Sequence, residues 1–183
     1  MNKWKESELV RSLLGFFLLF LFFVGLFIFV VPSTHKSSKI AEKIKSIKNE
    51  KVTYVAIGDS LTQGVGDSSN QGGFVPVLSQ ALESDFDWQV TSRNYGIAGN
   101  TSNQILKRMQ EKKDIQRDLK KAKVMTLTVG GNDVIHVIKD NITNLNVDTF
   151  TKPAQAYQKR LGQIIELARK DNKTLPIYIV GIY

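Results

Sequence analysis

The sequence has 183 residues, enough for one domain with its own hydrophobic core plus an appendage. It contains no cysteine, which excludes disulfides, zinc–thiolate and iron–sulfur sites, a cysteine nucleophile and a lipid-bearing N-terminal cysteine. The formal charge of +8 asks for an anionic neighbour, either a membrane surface or nucleic acid.

Residues 1–11 form a short tail carrying Lys3, Lys5 and Arg11. Residues 12–32 read as a transmembrane signal anchor. Within them, 13–31 is a run of nineteen residues with no charge and no hydrogen-bonding side chain. As a helix it spans ~28 Å, against a hydrocarbon thickness of ~30 Å. The run is longer than a signal-peptide core, and Val31-Pro32-Ser33 is a poor cleavage site, so the span is expected to stay uncleaved. Lysines follow the span as well as precede it, and by charge alone the rest of the chain would face the cytoplasm. Residues 33–50 are a basic juxtamembrane linker. Ile40, Ile44 and Ile47 fall at helical spacing among lysines. That pattern suits a basic helix lying on anionic headgroups, and it suits a solvated spacer equally.

From residue 51 to 183 the pattern repeats as strand, loop and helix. A strand at 52–57 runs into a polar, glycine-rich loop. A helix follows with Phe74, Val77, Leu78, Ala81 and Leu82 on one face and Pro76 in its first turn. A second strand is expected at 88–95. Thr101 or Ser102 could cap the next helix, which buries Ile105, Leu106 and Met109. A further helical stretch carries Ile115 and Leu119 among mixed charges that read as a solvated face. Nucleic-acid binding would call for aromatics between the basic residues, and that stretch has none. The third strand, 124–129, is apolar apart from its threonines. After a loop comes an amphipathic helix with Ala154, Tyr157, Leu161, Ile164, Ile165 and Ala168 on one stripe, then a fourth strand at 176–182. Strands alternating with helices at this spacing imply an α/β fold with a three-layer, parallel sheet.

Three strand ends carry unusual residues: Gly58-Asp59-Ser60-Leu61, Asn94-Tyr95-Gly96-Ile97-Ala98-Gly99-Asn100 and Gly130-Gly131-Asn132-Asp133. In a doubly wound parallel sheet such ends meet at one crevice. A serine, closely approaching backbone N–H groups at glycines and a neutral asparagine donor together suit acyl transfer, in which an oxyanion must be held by donors set in advance. The nucleophile elbow G-x-S-x-G, the zinc motif H-E-x-x-H, a phosphate-binding G-K-[ST] loop and a dinucleotide fingerprint are all absent.

These three blocks, in this order, resemble the SGNH or GDSL hydrolases, a family of esterases and lipases that includes lysophospholipases, thioesterases and carbohydrate O-acetylesterases. The resemblance covers residues 51–183 and implies a flavodoxin-like fold, usually of five strands, working without metal or cofactor. By that resemblance Ser60 is the nucleophile. The Ser60 backbone, Gly99 and Asn132 would form the oxyanion hole, with Gly58, Asp59, Gly130 and Gly131 as supporting motif residues. It implies an ester of a small molecule, lipid or carbohydrate as substrate, no nucleic-acid partner, and a hydrolase domain outside the cytoplasm on a single-pass anchor.

The family's last block, D-x-x-H, supplies the general base and its orienting acid from a separate C-terminal loop, and no such block follows here. Asp133-Val134-Ile135-His136 has the same letters but overlaps the third block, and His136 is read as a rim residue. His35 lies in the linker. The expectation is therefore a domain shortened at its C-terminus, with the base outside this chain and impaired activity; the alternative is a catalytically dead binding or structural protein that keeps the crevice.

Overall fold

The structure, a computed structural model, describes residues 50–180. The expected membrane span, the basic linker up to residue 49 and His35 lie outside the described residues, as does the far end of the expected fourth strand. Among the described residues no helix is long and apolar enough to cross a membrane.

In chain order the elements are β1 (Lys51–Gly58), α1 (Ser60–Gln63), α2 (Phe74–Phe86), β2 (Gln89–Gly96), α3 (Ser102–Glu111), α4 (Lys113–Lys121), β3 (Ala122–Thr128), α5 (Gly131–Asp140), α6 (Asp148–Ala168) and β4 (Ile177–Val180). The four strands make one parallel sheet in the order β2-β1-β3-β4. Register is set at the centre by Tyr54, which lies opposite Ser92 on one side and Val124 on the other. The strands therefore end together, and the three glycine-bearing loops leave the same edge of the sheet.

Side-chain alternation along β1 and β3 divides the core into two. Val55, Ile57, Met125 and Leu127 point to one face, where they pack with Ile105 and Met109 of α3, Ile115 and Leu119 of α4 and Ile164 of α6. Tyr54, Ala56 and Val124 point to the other and meet Val75, Phe74, Leu78 and Leu82 of α2. Both central strands are covered on both faces, which is why they read as near-continuous apolar runs. Polar atoms within this core are paired: the Tyr54 hydroxyl lies 2.7 Å from that of Thr126.

Three local expectations are corrected. The buried stripe of α2 runs through Val75, and Val77 is 58% exposed, because the helix meets the sheet one position round from the face that its periodicity suggested. Two helices stand where loops were expected: the single turn α1 and the ten-residue α5. Their glycines read as breakers, but the long-range hydrogen bonds described below hold both segments helical. Thirdly, the charges of α4 are not all solvated. Asp118 is 5% exposed and accepts the Tyr95 hydroxyl of β2 at 2.7 Å. Burial works against its charge, but the hydrogen bonds from Arg117 and Tyr95 and the positive charges of Arg117 and Arg93 outweigh it and hold the carboxyl below the usual range. The same pairing, with burial as the larger cause, pushes the Tyr95 hydroxyl up to about 12.

A depressed carboxyl stabilises the fold at pH values above its unfolded pKa of ~3.9, and that contribution is lost as pH falls through the lower folded value. Asp118→Asn keeps an acceptor for Tyr95 but removes the charge. It is expected to cost about 1 kcal/mol at pH 7, the difference between a charged and a neutral acceptor. Urea unfolding at a series of pH values checks this: the gap between wild type and variant should close below pH ~4.

Candidate active site

Ser60 begins α1, separated from the end of β1 by Asp59 alone. Asp59 caps the turn, its Oδ1 accepting the Leu61 N–H at 3.1 Å. The same oxygen accepts the Thr128 hydroxyl at 2.7 Å, while the Thr128 oxygen accepts the Asp59 N–H at 3.1 Å. Thr62, one turn into the structure, places its hydroxyl 2.8 Å from that of Thr128. Since the Thr128 proton is committed to the carboxylate, Thr62 donates in this pair. Asp59, Thr62 and Thr128 are all buried. This cluster leaves no room at Gly58: a Cβ there would run into the Thr128 hydroxyl and carbonyl.

The second loop is stitched to the serine turn. The Ile97 N–H donates to the Gly58 carbonyl at 3.1 Å, and the Ala98 N–H donates to Gln63 Oε1 at 2.6 Å. Asn94 donates from Nδ2 to the Thr62 carbonyl at 2.7 Å and accepts the Gly96 N–H at 2.8 Å. Arg108 of α3 fastens the same region from behind. Its Nε donates to Asn100 Oδ1 at 2.8 Å, and its two terminal nitrogens donate to the Tyr95 carbonyl at 3.0 Å and the Gly58 carbonyl at 3.2 Å. Burial lowers the guanidinium pKa, yet an arginine remains charged in proteins. Gly99, at the crest of this loop, has no atom within 4 Å of the position a Cβ would take.

The third loop turns at Gly130, whose φ of +111° is strained for any L side chain. A Cβ at Gly130 would also lie 3.1 Å from the Tyr157 hydroxyl. The chain then enters α5, and the Asn132 side chain donates from Nδ2 to the Asn100 carbonyl at 3.0 Å. Asp133 is held on two sides. It accepts the Ser102 N–H at 2.8 Å and the Ser102 hydroxyl at 2.5 Å, and Arg160 of α6 approaches its Oδ1 at 3.2 Å. Arg160 Nε also donates to Ser102 Oγ at 2.7 Å. Ser102 is buried at the start of α3, so α3, α5 and α6 are tied at the crevice. Thr101 caps α3 in a reciprocal arrangement with Gln104, as the sequence suggested.

Ser60, Gly99 and Asn132 thus sit on loops bonded to one another. The Ser60 N–H lies in the first turn of a helix, where it has no intrahelical acceptor. One hydrogen of the Asn132 amide is used on Asn100, and the other is available to a ligand. Ser60 is half-buried and its hydroxyl has no hydrogen-bond partner among the described residues. His136 lies exposed on α5, its ring also without a hydrogen-bond partner among the described residues. No group of three or more histidine or acidic side chains among the described residues could hold a metal. Sequence reasoning missed Thr128, Thr62, Arg108 and the Ser102–Asp133–Arg160 group. The signal for the first was present: threonine twice in an otherwise apolar strand. Arg108, by contrast, is one more cation in a basic stretch until the fold is known.

Residues 56–183 match the model of the GDSL-like lipase/acylhydrolase family. The chain is 33% identical over 153 residues to the uncharacterized protein YpmR of Bacillus subtilis strain 168, covering 82% of this chain and 59% of that protein. It is 30% identical over 117 residues to the spore germination lipase LipC of Bacillus licheniformis, covering 64% of this chain and 55% of that one. It therefore spans less than 60% of the length of either relative. Among solved structures, the lipase Lip_vut3 from a goat rumen metagenome superposes with a TM-score of 0.66 at 26% identity, over 72% of this chain and 64% of that one. AlinE4, an SGNH-hydrolase family esterase, superposes with a TM-score of 0.52 at 25% identity, over 73% of this chain and 60% of that one.

Thr128→Val keeps the side-chain shape and removes the hydroxyl that joins β3 to the serine turn. It strands the buried Asp59 N–H and leaves the Thr62 hydroxyl only the Ile57 carbonyl at 3.4 Å, and is expected to cost about 2 kcal/mol in urea unfolding. Thr128→Ser should recover most of that loss; if both variants unfold like the wild type, the hydroxyl does not hold the joint.

Proposed function

Because the chain belongs to the GDSL-like lipase/acylhydrolase family, we propose that it hydrolyses carboxylic esters through an acyl-serine formed on Ser60. The observation that carries this reading is the Asn132–Asn100 hydrogen bond of 3.0 Å, which sets the Asn132 amide beside Gly99 on a loop itself bonded to Gly58. In the first step Ser60 Oγ bonds to the ester carbonyl carbon, and the carbonyl oxygen takes up negative charge. The Ser60 N–H, the Gly99 N–H and the free Asn132 amide hydrogen receive that oxyanion. The carbon–oxygen bond to the alcohol then breaks, and the alcohol leaves with a proton. Water attacks the acyl-serine, releasing the acid and restoring the hydroxyl.

The proton of Ser60 needs an acceptor, and none touches its hydroxyl among the described residues. In a serine enzyme a general base takes that proton as the carbonyl carbon is attacked. We propose further that the uncharged run at 13–31 anchors the protein in a membrane, with residues 51–183 outside the cytoplasm.

An alkyl fluorophosphonate is expected to label the wild-type chain at Ser60, slowly and in a one-to-one ratio, and Ser60→Ala should not label. Equal labelling of the two by mass spectrometry would sink the nucleophile, leaving the crevice as a binding site. For the anchor, an epitope fused after Tyr183 should be removed by protease added to intact cells; protection until the cells are lysed would reverse the orientation.

A further inference from the structure

In the sequence, residues 112–123 mix cations with acids, but the fold sorts them. Asp118 is buried against Tyr95, which leaves Asp114 as the one acid of this stretch on the surface. Against it stand Lys112, Lys113, Arg117, Lys120, Lys121 and Lys123, all exposed. Because α4 spends Ile115 and Leu119 on the core, its outer side is left to the cations. The stretch runs into β3 at the end of the sheet where the strands begin, opposite the crevice.

Two further features lie at that end. Trp88 is half-buried and stacks on Phe86, itself 55% exposed, with 4.7 Å between ring centroids, and Lys123 Nζ lies 5.7 Å from the Trp88 ring. Lys123 also pairs with Glu50 at 3.0 Å, and the Gln89 N–H donates to the Glu50 carbonyl at 2.9 Å. The chain arriving from residues 32–49 is therefore fastened at this end of the domain. The other acids here are Glu83, Asp85 and Asp87, near the end of α2 on the other face of the sheet, and Asp171, next to Lys170 in the chain. At the crevice end the balance is reversed, with Asp67, Asp140 and Asp148 set against Lys139 and Lys152.

We propose that α4 and the adjoining end of the sheet form a docking face for an anionic phospholipid bilayer. The cations lie against headgroup phosphates, and the Phe86–Trp88 pair sits at headgroup level, where an amphipathic indole is favoured. Charge complementarity selects this end, since the crevice end would be repelled by the same surface. The eight residues of β1 carry Ser60 ~26 Å from the docking end, so the crevice faces the aqueous phase rather than the bilayer. This goes beyond the anchor proposed at 13–31 and rests on it only for bringing the domain within reach. Residues 32–49 span ~60 Å when fully extended.

The chain has no cysteine, so a single introduced one carries a fluorophore to a chosen place. Gln89→Cys places it at the docking end and Ser68→Cys in the loop at the crevice end, both at exposed positions. Each labelled full-length chain is reconstituted in vesicles of phosphatidylcholine, with or without phosphatidylglycerol, and energy transfer to a headgroup-labelled lipid is measured. With phosphatidylglycerol, transfer should be strong from Gln89→Cys and weak from Ser68→Cys. The gap should shrink in phosphatidylcholine alone and in about 1 M salt, where the Debye length falls to ~3 Å. Replacing Lys113, Lys120 and Lys121 together by glutamine should lower the docked-to-free ratio about a hundredfold, about fivefold for each cation, and close the gap. Replacing the same three by glutamate should do the same, and thermal unfolding verifies that at least one set folds. Equal transfer from the two labels in anionic vesicles, stronger transfer from Ser68→Cys, or an unchanged gap in a folded variant overturns the docking face. Equal transfer together with duplex DNA binding by the detergent-solubilised chain would give the face to nucleic acid instead. Flotation after a high-salt wash reads the anchor separately: a chain washed off neutral vesicles overturns the anchor alone. For such a chain the docking face still requires flotation with anionic vesicles at low salt, lost in the glutamine variant.

Discussion

The arrangement at the crevice depends on one buried hydroxyl. Thr128 closes β3 and, through its oxygen and its proton, holds the Asp59 N–H and the Asp59 carboxylate together. A strand end without this tie would leave the turn after β1 bonded to the second loop and Arg108 but not to β3, and a four-residue helix is too short to stand on propensity. The price of the tie is space, because Gly58 must be glycine for the hydroxyl to approach. Thr62 completes the cluster from inside the turn, so Asp59 before Ser60 and Thr62 two residues after it are buried and bonded while Ser60 itself is only half-buried. Rigidity is concentrated next to the reactive position rather than on it, which suits a group that must keep its hydroxyl free for a substrate.

Two arginines extend this framework to the other loops. Arg108 reaches three acceptors contributed by the ends of β1 and β2 and by the loop beyond. Its planar fork fits such a set of fixed acceptors in a way that a lysine ammonium would not. Arg160 does comparable work from α6, neutralising Asp133 and bonding Ser102 at the same time. Both cations are partly buried and bonded, unlike the exposed Lys107–Glu111 pair on α3, which is held at 3.9 Å in open solvent and contributes little. The positive charge of the chain thus has two fates. Much of it is solvated surface, while a small part is structural and lies directly behind the candidate site.

The family relationship and the parallel sheet were legible in the residues because both are local in the sequence. A β-branched run followed by Gly-Asp-Ser-Leu needs no tertiary context to be read as a strand ending in a turn, and the other two blocks repeat the form. The face of α2 was not legible. Val75 and Val77 are alike in chemistry, and the choice between them is made by where Tyr54, Ala56 and Val124 stand on the sheet. Nor was α5, since Gly130 and Gly131 argue for a loop while the anchoring of Asp133 by Ser102 and Arg160 lies 27 to 31 residues away in sequence. Asp118 looked like surface for the same reason: its partner Tyr95 belongs to another strand.

By itself the sequence determined the order of the four strands and of α2, α3, α4 and α6, the three glycine-bearing strand ends and the family to which they belong. These follow from periodicity and short motifs, which depend on neighbours within a few residues. Tertiary structure alone decided that Thr128 grips the serine turn, that Asn132 reaches the carbonyl beside Gly99, and that Asp118 turns in against Tyr95, leaving α4 a basic outer side. Each of these brings together groups from separate elements. Their pairing is fixed by sheet register and helix packing, for which one stretch of sequence carries no separate signal.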